Sequence, residues 1–386
     1  MRAHFLGGNS VTLLRSGVEY FPALEAAIRS AKTEIFLETY IYAGDGTGRR
    51  ITRALCDAAA RGVAVRVVVD GFGSKEMPAK LRRDLIESGA QLLVFRPELW
   101  SIRLRRDRLR RMHRKLVVVD ARVAFVGGIN IIDDVETPHH VPPRYDYAVR
   151  IEGPLLGPIH DAAVRLWNRV AWRRMQRGLR IRHWAAADTS RKGDQRAAFL
   201  VRDNFRHRRD IEQAYLSAIE SARREIVIAC AYFFPGIRFR RALARAAARG
   251  VRVVLLLQGR IEYVWAHYAS RALYGMLLDS GIEIHEYHRS FLHAKVAIVD
   301  DHWATVGSSN IDPFSLLLAR EANVVIEDRG FAQALRNALS DAMQRGATPV
   351  PRRRWSVLPL WRRIPIWIAY GFARFAIGMV GFNNRF

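Results

Sequence analysis

Met112-His113-Arg114-Lys115-Leu116-Val117-Val118-Val119-Asp120 is followed by Val123-Ala124-Phe125-Val126-Gly127-Gly128-Ile129-Asn130. The same pattern returns as Leu292-His293-Ala294-Lys295-Val296-Ala297-Ile298-Val299-Asp300, then Trp303-Ala304-Thr305-Val306-Gly307-Ser308-Ser309-Asn310. In each copy a Lys, an Asp, a Gly and an Asn stand 2, 7, 14 and 17 residues after the His. An isolated H-x-K carries no information; the whole spacing, twice in one chain, is specific.

Working outward, the repeat extends well beyond the motif. Ala27-Ile28-Arg29-Ser30-Ala31 recurs as Ala218-Ile219-Glu220-Ser221-Ala222, an offset of 191. Arg61-Gly62-Val63 recurs as Arg249-Gly250-Val251 at 188, and the histidine motif at 180. Preserved order with drifting spacing marks a duplicated domain whose loops have changed length, since a solenoid would need more copies. Within each copy, Glu34 to Tyr42 and Val63 to Asp70, or Glu225 to Phe233 and Val251 to Leu257, are β-branched and aromatic runs on either side of a helical stretch. They lack polar alternation, as strands covered on both faces do. The expected fold is therefore α/β: two homologous lobes with pseudo-twofold symmetry, each a central mixed sheet flanked by helices, with the active site at the lobe interface. The expected limits are 10–168 for the first lobe, 169–196 for a basic connector, 197–345 for the second lobe and 346–386 for a basic amphipathic tail.

Alternate side chains of a strand share a face, so His113 and Lys115 are expected to point together, as are His293 and Lys295. Asp120 and Asp300 have the opposite parity and sit at the turn, where they read as turn-fixing residues. The returning strand brings Gly127-Gly128 and Asn130, or Gly307-Ser308 and Asn310, back beside the His, where exposed amide groups can approach an anion. Two His, two Lys and two Asn would then converge, a set suited to a phosphodiester. One imidazole attacks phosphorus, another protonates the leaving oxygen, and Lys and amide groups neutralise the non-bridging oxygens. Each imidazole needs a carboxylate to fix its tautomer. Asp146 and Glu321, on the strand expected after each motif, are the candidates. Lysines beside the histidines would repel a divalent cation, so neither a metal nor another cofactor is expected.

The repeated H-x-K-x4-D-x6-G-[GS]-x-N resembles the signature of the phospholipase D superfamily. Within it, Glu38 to Tyr42, Asp70 to Ser74, Arg111 to Val119 and His302 to Pro313 resemble the bacterial cardiolipin synthases. The resemblance implies that His113, Lys115, Asp120, His293, Lys295 and Asp300 form the catalytic motifs, with one histidine as nucleophile, a phosphohistidine intermediate and no metal. It implies phosphate binding at Gly128, Asn130, Ser308 and Asn310. The implied reaction moves a phosphatidyl group from one phosphatidylglycerol to another or to a related alcohol, releasing glycerol. Gly128 departs from the second copy, which has Ser308, and that half-site is expected to lose a hydroxyl donor. The alternative activity is phosphodiester hydrolysis of phospholipid or nucleic acid.

Charge narrows the partner. Across 386 residues, 62 Lys+Arg against 37 Asp+Glu give a net charge of +25, which favours an anion. A hydrophobic content of 50% excludes a disordered basic tail protein, and two cysteines exclude a disulfide framework. Met1 to Gly17 is broken by Arg2, His4, Asn9 and Arg15, so no leading signal or transmembrane segment is expected there. Arginines between Arg103 and Arg111 crowd the approach to His113. Trp167, Trp172 and Trp184 are interleaved with seven arginines between Arg165 and Arg182. Past Asp341 no acidic residue remains, and Arg352-Arg353-Arg354 and Arg362-Arg363 precede the apolar run Ile364 to Phe382. Pro365 and Arg374 within that run favour an anchor lying in the interface over a spanning helix. The expected partners are a phospholipid (phosphatidylglycerol) substrate and an anionic membrane surface. The expected location is peripheral, on the cytoplasmic face of the cell membrane. Nucleic acid is the less favoured partner, because nucleases with this signature are often short single-motif chains that dimerise.

Overall fold

The structure, a computed structural model, describes residues 3–96, 110–135, 142–203, 206–261, 264–312, 315, 318–352, 368 and 371. Arg103, Arg105, Arg106 and Arg108, together with nearly all of the tail from 353 onward, lie outside the described residues.

The first lobe is built from β1 (Leu6–Arg15), α1 (Ser16–Ser30), β2 (Glu34–Thr39), α2 (Gly46–Ala60), β3 (Ala64–Asp70), α3 (Ala79–Glu87), β4 (Gln91–Phe95), β5 (Lys115–Val119), β6 (Val123–Gly127), β7 (Tyr147–Glu152) and α4 (Leu156–Arg173). The second repeats it as β8 (Gln195–Arg202), α5 (Asp210–Ser221), β9 (Glu225–Cys230), α6 (Ile237–Ala248), β10 (Arg252–Gln258), α7 (Val264–Arg271), α8 (Tyr274–Asp279), β11 (Glu283–Tyr287), β12 (Lys295–Val299), β13 (Trp303–Gly307), β14 (Glu321–Glu327) and α9 (Arg329–Gly346), with a short β15 (Ala347–Pro349) at its edge. In each lobe three strands run parallel (β2, β3, β4; β9, β10, β11), and the motif strands join them antiparallel. The sheets meet where β1 pairs with β8, giving a single order β15-β11-β10-β9-β12-β13-β14-β8-β1-β7-β6-β5-β2-β3-β4 among the described residues.

Burial explains the apolar runs. Every residue of β2, β5, β9 and β12 is buried. On the outer face of lobe one, Leu24, Ile28, Ile51 and Leu55 of α1 and α2 pack on Ile35, Leu37 and Val117. Ile219, Phe239 and Leu243 do the same in lobe two against Ile226, Ile228 and Ala297. The inner faces share one core. Phe36, Leu116 and Val118 belong to the same apolar cluster as Ala229, Val296 and Ile298, sealed by Trp167 of α4 and Leu335 of α9. The two lobes therefore share one core along this seam. The motifs lie at its end.

Candidate active site

The strand after each histidine starts later than the sequence suggests: β5 begins at Lys115 and β12 at Lys295. Each His therefore sits just ahead of its strand, and its backbone belongs to the seam. His113 N–H donates to Arg320 O at 2.9 Å, and His293 N–H donates to Tyr145 O at 2.8 Å. Bridges Met112–Arg320 and Tyr145–Leu292 fix the same register on the two sides of the pseudo-twofold. The residue next to each bridge is a carboxylate, so the lobes exchange partners. His113 Nδ1 donates to Glu321 at 3.0 and 3.1 Å, and His293 Nδ1 donates to Asp146 Oδ2 at 2.6 Å. Asp146 and Glu321 thus hold imidazoles, each the one belonging to the other lobe. With Nδ1–H given to a carboxylate, the lone pair is on Nε2, the tautomer a nucleophile needs. Both rings keep a solvent edge, at 16% and 11% side-chain exposure.

Gly128 and Ser308 are explained by those carboxylates. Ser308 Oγ donates to Glu321 Oε2 at 2.5 Å and accepts from Ala322 N–H at 3.0 Å. At the equivalent point, a Cβ on Gly128 would fall 2.3 Å from Asp146 Oδ1. The shorter Asp carries its carboxylate over the backbone, where a side chain at 128 would stand. The Gly128/Asp146 pair therefore replaces Ser308/Glu321 as a unit, and it serves His293 rather than His113. The hydroxyl's place is taken by the carboxylate itself.

Lys115 Nζ donates to His113 O at 2.8 Å and lies 5.3 Å from the centre of the Tyr40 ring. Lys295 Nζ makes the matching contact with His293 O. Burial drives the Lys115 ammonium down to about 7, Glu321 opposing and Lys295 adding to the fall. Burial also lowers the His113 imidazole, with Glu321 opposing. It raises the Asp146 carboxyl to about 6 against the pull of Lys295. Asn130 and Asn310 are buried, and Asn130 Oδ1 accepts from Ile41 N–H at 3.1 Å, so its amide NH2 is the end available as a donor.

Asp120 and Asp300 do not reach the imidazoles. They lie at the opposite ends of β5 and β12, with φ of 51° and 53°. Asp120 accepts from Lys32, Thr33 and Glu34 amides at 2.8–3.0 Å, and Asp300 from Arg223, Arg224 and Glu225 at 2.8–3.1 Å. Both clamp the loop that leads into the first parallel strand of their lobe. Burial opposes ionisation at each, and these amide donors outweigh it, holding both carboxyls below their ordinary value. The resemblance implied a place for both among the catalytic motif residues; the structure sets their side chains at these loops, the turn position that strand parity predicts.

Sequence reasoning missed three neighbours. Tyr40 meets His113 edge-on, with centroids 4.8 Å apart. Arg114, between His113 and Lys115, turns to the far side of the strand and forms a buried two-pronged ion pair with Glu38 at 2.8 and 2.7 Å. Lobe two has Ala294 and Ala229 at these places, and that paired difference between the copies was a legible signal. Arg320, beside Glu321, is pushed down to about 9 by burial, with Arg169, Arg114 and Arg173 adding to the fall.

Comparison with known proteins shows the family. A family model described as cardiolipin synthase, PLD-like domain, matches residues 24–136 and 215–343. Cardiolipin synthase B of Escherichia coli K12 is 40% identical over 99% of this chain and 92% of its own length. The major cardiolipin synthase ClsA of Bacillus subtilis is 30% identical over 94% of this chain and 74% of its own. Among solved structures, a phosphatidylserine synthase of Haemophilus influenzae superposes with a TM-score of 0.72 over 98% of this chain and 96% of that one; at 14% identity the likeness shows a common fold. With both halves matched and the similarity running nearly end to end, the chain belongs to the cardiolipin synthase family of the phospholipase D superfamily.

Proposed function

We propose that the chain is a phosphatidyltransferase that makes cardiolipin from two molecules of phosphatidylglycerol. The observation that carries this reading is the exchanged pair of contacts, His113–Glu321 and His293–Asp146, which sets two imidazoles with matching tautomers in one site. His113 is the proposed nucleophile. Burial favours its neutral form, which leaves His293, held by Asp146 at 2.6 Å, as the acid and base. His113 Nε2 forms a bond to phosphorus as the bond to the glycerol oxygen breaks, and His293 gives its proton to that oxygen. The now neutral His293 then takes the proton of an incoming phosphatidylglycerol hydroxyl. The oxygen attacks phosphorus, and the P–N bond returns its electron pair to His113. Lys115 and Lys295 neutralise the non-bridging oxygens, with the amides of Asn130 and Asn310 and the backbone at Gly128 and Ser308 as further donors. Transfer outcompetes hydrolysis only where the acceptor excludes water, which a lipid-facing cleft favours.

The enzyme is proposed to act as a peripheral protein of the cytoplasmic membrane face, with residues 353–386 as a tail lying in the lipid interface; the expected start at 346 moves later because Ala347–Pro349 form β15 against β11. Among the described residues no helix is long and apolar enough to cross a membrane. The test is purified full-length protein with isotopically labelled phosphatidylglycerol in vesicles, products resolved by mass. Cardiolipin and glycerol in equal amounts are expected; phosphatidic acid alone would overturn the proposal in favour of hydrolysis. The His293→Ala variant should accumulate phosphatidylated protein, and the label should be absent from His113→Ala. The reverse pattern would exchange the two roles.

A further inference from the structure

We propose that the end of α4 and the segment after it form a docking surface for an anionic phospholipid bilayer, set at the lobe-one rim of the active site. The outward stripe of α4 reads Arg165, Arg169, Trp172, at helical spacings of four and three. Trp172 is 60% exposed, Met175 84% and Trp184 44%. Met175 has φ of 55°, a left-handed conformation that helix ends usually assign to Gly. Here a long thioether occupies it and stands in water.

The surface is held firmly. Trp167 Nε1–H donates to Leu179 O at 2.7 Å. The Asn168 side chain both donates to Ile181 O and accepts from Ile181 N–H, at 2.8 and 2.7 Å. These bonds return the chain to α4 one turn before Trp172 and three residues before Trp184, so the apolar tips are displayed by fixed backbone. Charge complementarity selects the occupant. Between Asp161 and Asp188 there are seven arginines and no acidic residue. Large apolar tips set among cations are the composition of an interfacial lipid contact, with rings and thioether at head-group depth and guanidiniums on the phosphates.

The helix also adjoins the motif: Arg114, the residue after His113, donates to Ala162 O of α4 at 3.4 Å. The charges of Arg169 and Arg173 act on Arg320, whose carbonyl accepts from His113 N–H. A bilayer seated here would deliver a lipid phosphate beside the reacting imidazole without withdrawing the lipid far from its leaflet. That purpose rests on the lipid-transfer reading above; the docking itself does not.

The test places a polarity-sensitive thiol dye at Met175→Cys in full-length protein carrying Cys56→Ser. Cys230 is buried and its thiol is pushed up to about 12, which keeps it unreactive. Vesicles containing phosphatidylglycerol should shift the emission to the blue, phosphatidylcholine vesicles at the same salt should not, and Trp172→Ser with Trp184→Ser should weaken partition about tenfold at unchanged melting temperature. Three results would each overturn the proposal: co-sedimentation with vesicles but no dye shift, no association with the anionic vesicles, or a dye already shifted in buffer, which would mean the tail or a second copy covers the patch. A dye shift from a protein that yields no transfer product would support docking and sink the catalytic reading alone.

Discussion

Replacing Gly128 by Ala should disable His293 without unfolding the protein. An added Cβ meets Asp146 Oδ1 at 2.3 Å and Oδ2 at 2.7 Å, where ordinary contact begins at 3.4 Å. The carboxylate must retreat by about 1 Å, a displacement of the size that misaligns catalytic groups. The same carboxylate accepts from His293 Nδ1 at 2.6 Å, and a retreat on that scale takes the contact beyond hydrogen-bond range. A hydrogen bond to a charged group is worth about 1.5–3 kcal/mol, so turnover should fall roughly 10- to 150-fold. The bond from Gly128 N–H to Tyr147 O at 2.9 Å uses backbone only and should survive, leaving the melting temperature close to that of the parent. Turnover would be measured on detergent-dispersed phosphatidylglycerol, so that membrane binding does not enter. Gly128→Ser alone should be equally impaired. Gly128→Ser combined with Asp146→Glu rebuilds the Ser308/Glu321 arrangement of the other lobe and should recover about a factor of ten. A Gly128→Ala enzyme within about twofold of parental turnover would refute the reasoning, since it would mean that Asp146 need not hold His293 where it does.

Asp120→Ala and Asp300→Ala should each cost about 1–3 kcal/mol of stability, read as a lower melting temperature, while the folded fraction keeps its turnover. Because both carboxyls are held below their ordinary value, their contribution is present above about pH 4 and disappears as pH falls through the lower folded value, so each variant should converge on the parent in acid. For catalysis, Asp146 must be ionised and Lys115 protonated. Values of about 6 and about 7 then predict a narrow bell in kcat/KM, falling on the acid side as Asp146 gains a proton and on the alkaline side as Lys115 loses one; a flat profile from pH 5 to 9 would contradict it. Glu38→Gln leaves the buried Arg114 guanidinium uncompensated and should cost about 3–5 kcal/mol in denaturant unfolding, whereas Glu38→Ala with Arg114→Ala copies Ala229 and Ala294 of lobe two and should cost less than the single change.

Much of the fold was legible because the repeat restricts the choices. Buried runs such as Val117-Val118-Val119 and Val253-Val254-Leu255 fit only strands covered on both faces, and the duplicated histidines required two like lobes facing each other. The turn role of Asp120 followed from strand parity, which is local. The role of Gly128 was not legible, since a missing hydroxyl reads as a loss until the Asp146 carboxylate is seen in the space. The partners of the histidines were not legible either. Asp146 and Glu321 could be named from their place after each motif, but His293 lies 147 residues from Asp146 and His113 lies 208 from Glu321. Which pairs with which is decided by how the two sheets dock, and no spacing within a lobe records that.

The exchange has a consequence for why one chain carries both copies. Either lobe alone holds a histidine without its carboxylate and a carboxylate without its histidine, so a half-chain has no oriented imidazole. Two identical halves could complete each other, but symmetry would give both imidazoles the same surroundings and hence the same proton affinity. In this chain the copies differ at the supports: Ser308 donates to Glu321 on one side, and Gly128 makes room for Asp146 on the other. His113 therefore faces a carboxylate that also accepts from a hydroxyl, through two contacts of 3.0 and 3.1 Å, and His293 faces one that also accepts from Tyr147 N–H at 2.8 Å, through a contact of 2.6 Å. A nucleophile needs the neutral ring and a general acid the protonated one, and unequal supports can separate those states at a single pH. Fusion of the copies lets the difference be inherited in fixed places, which a symmetric pair of identical chains cannot do.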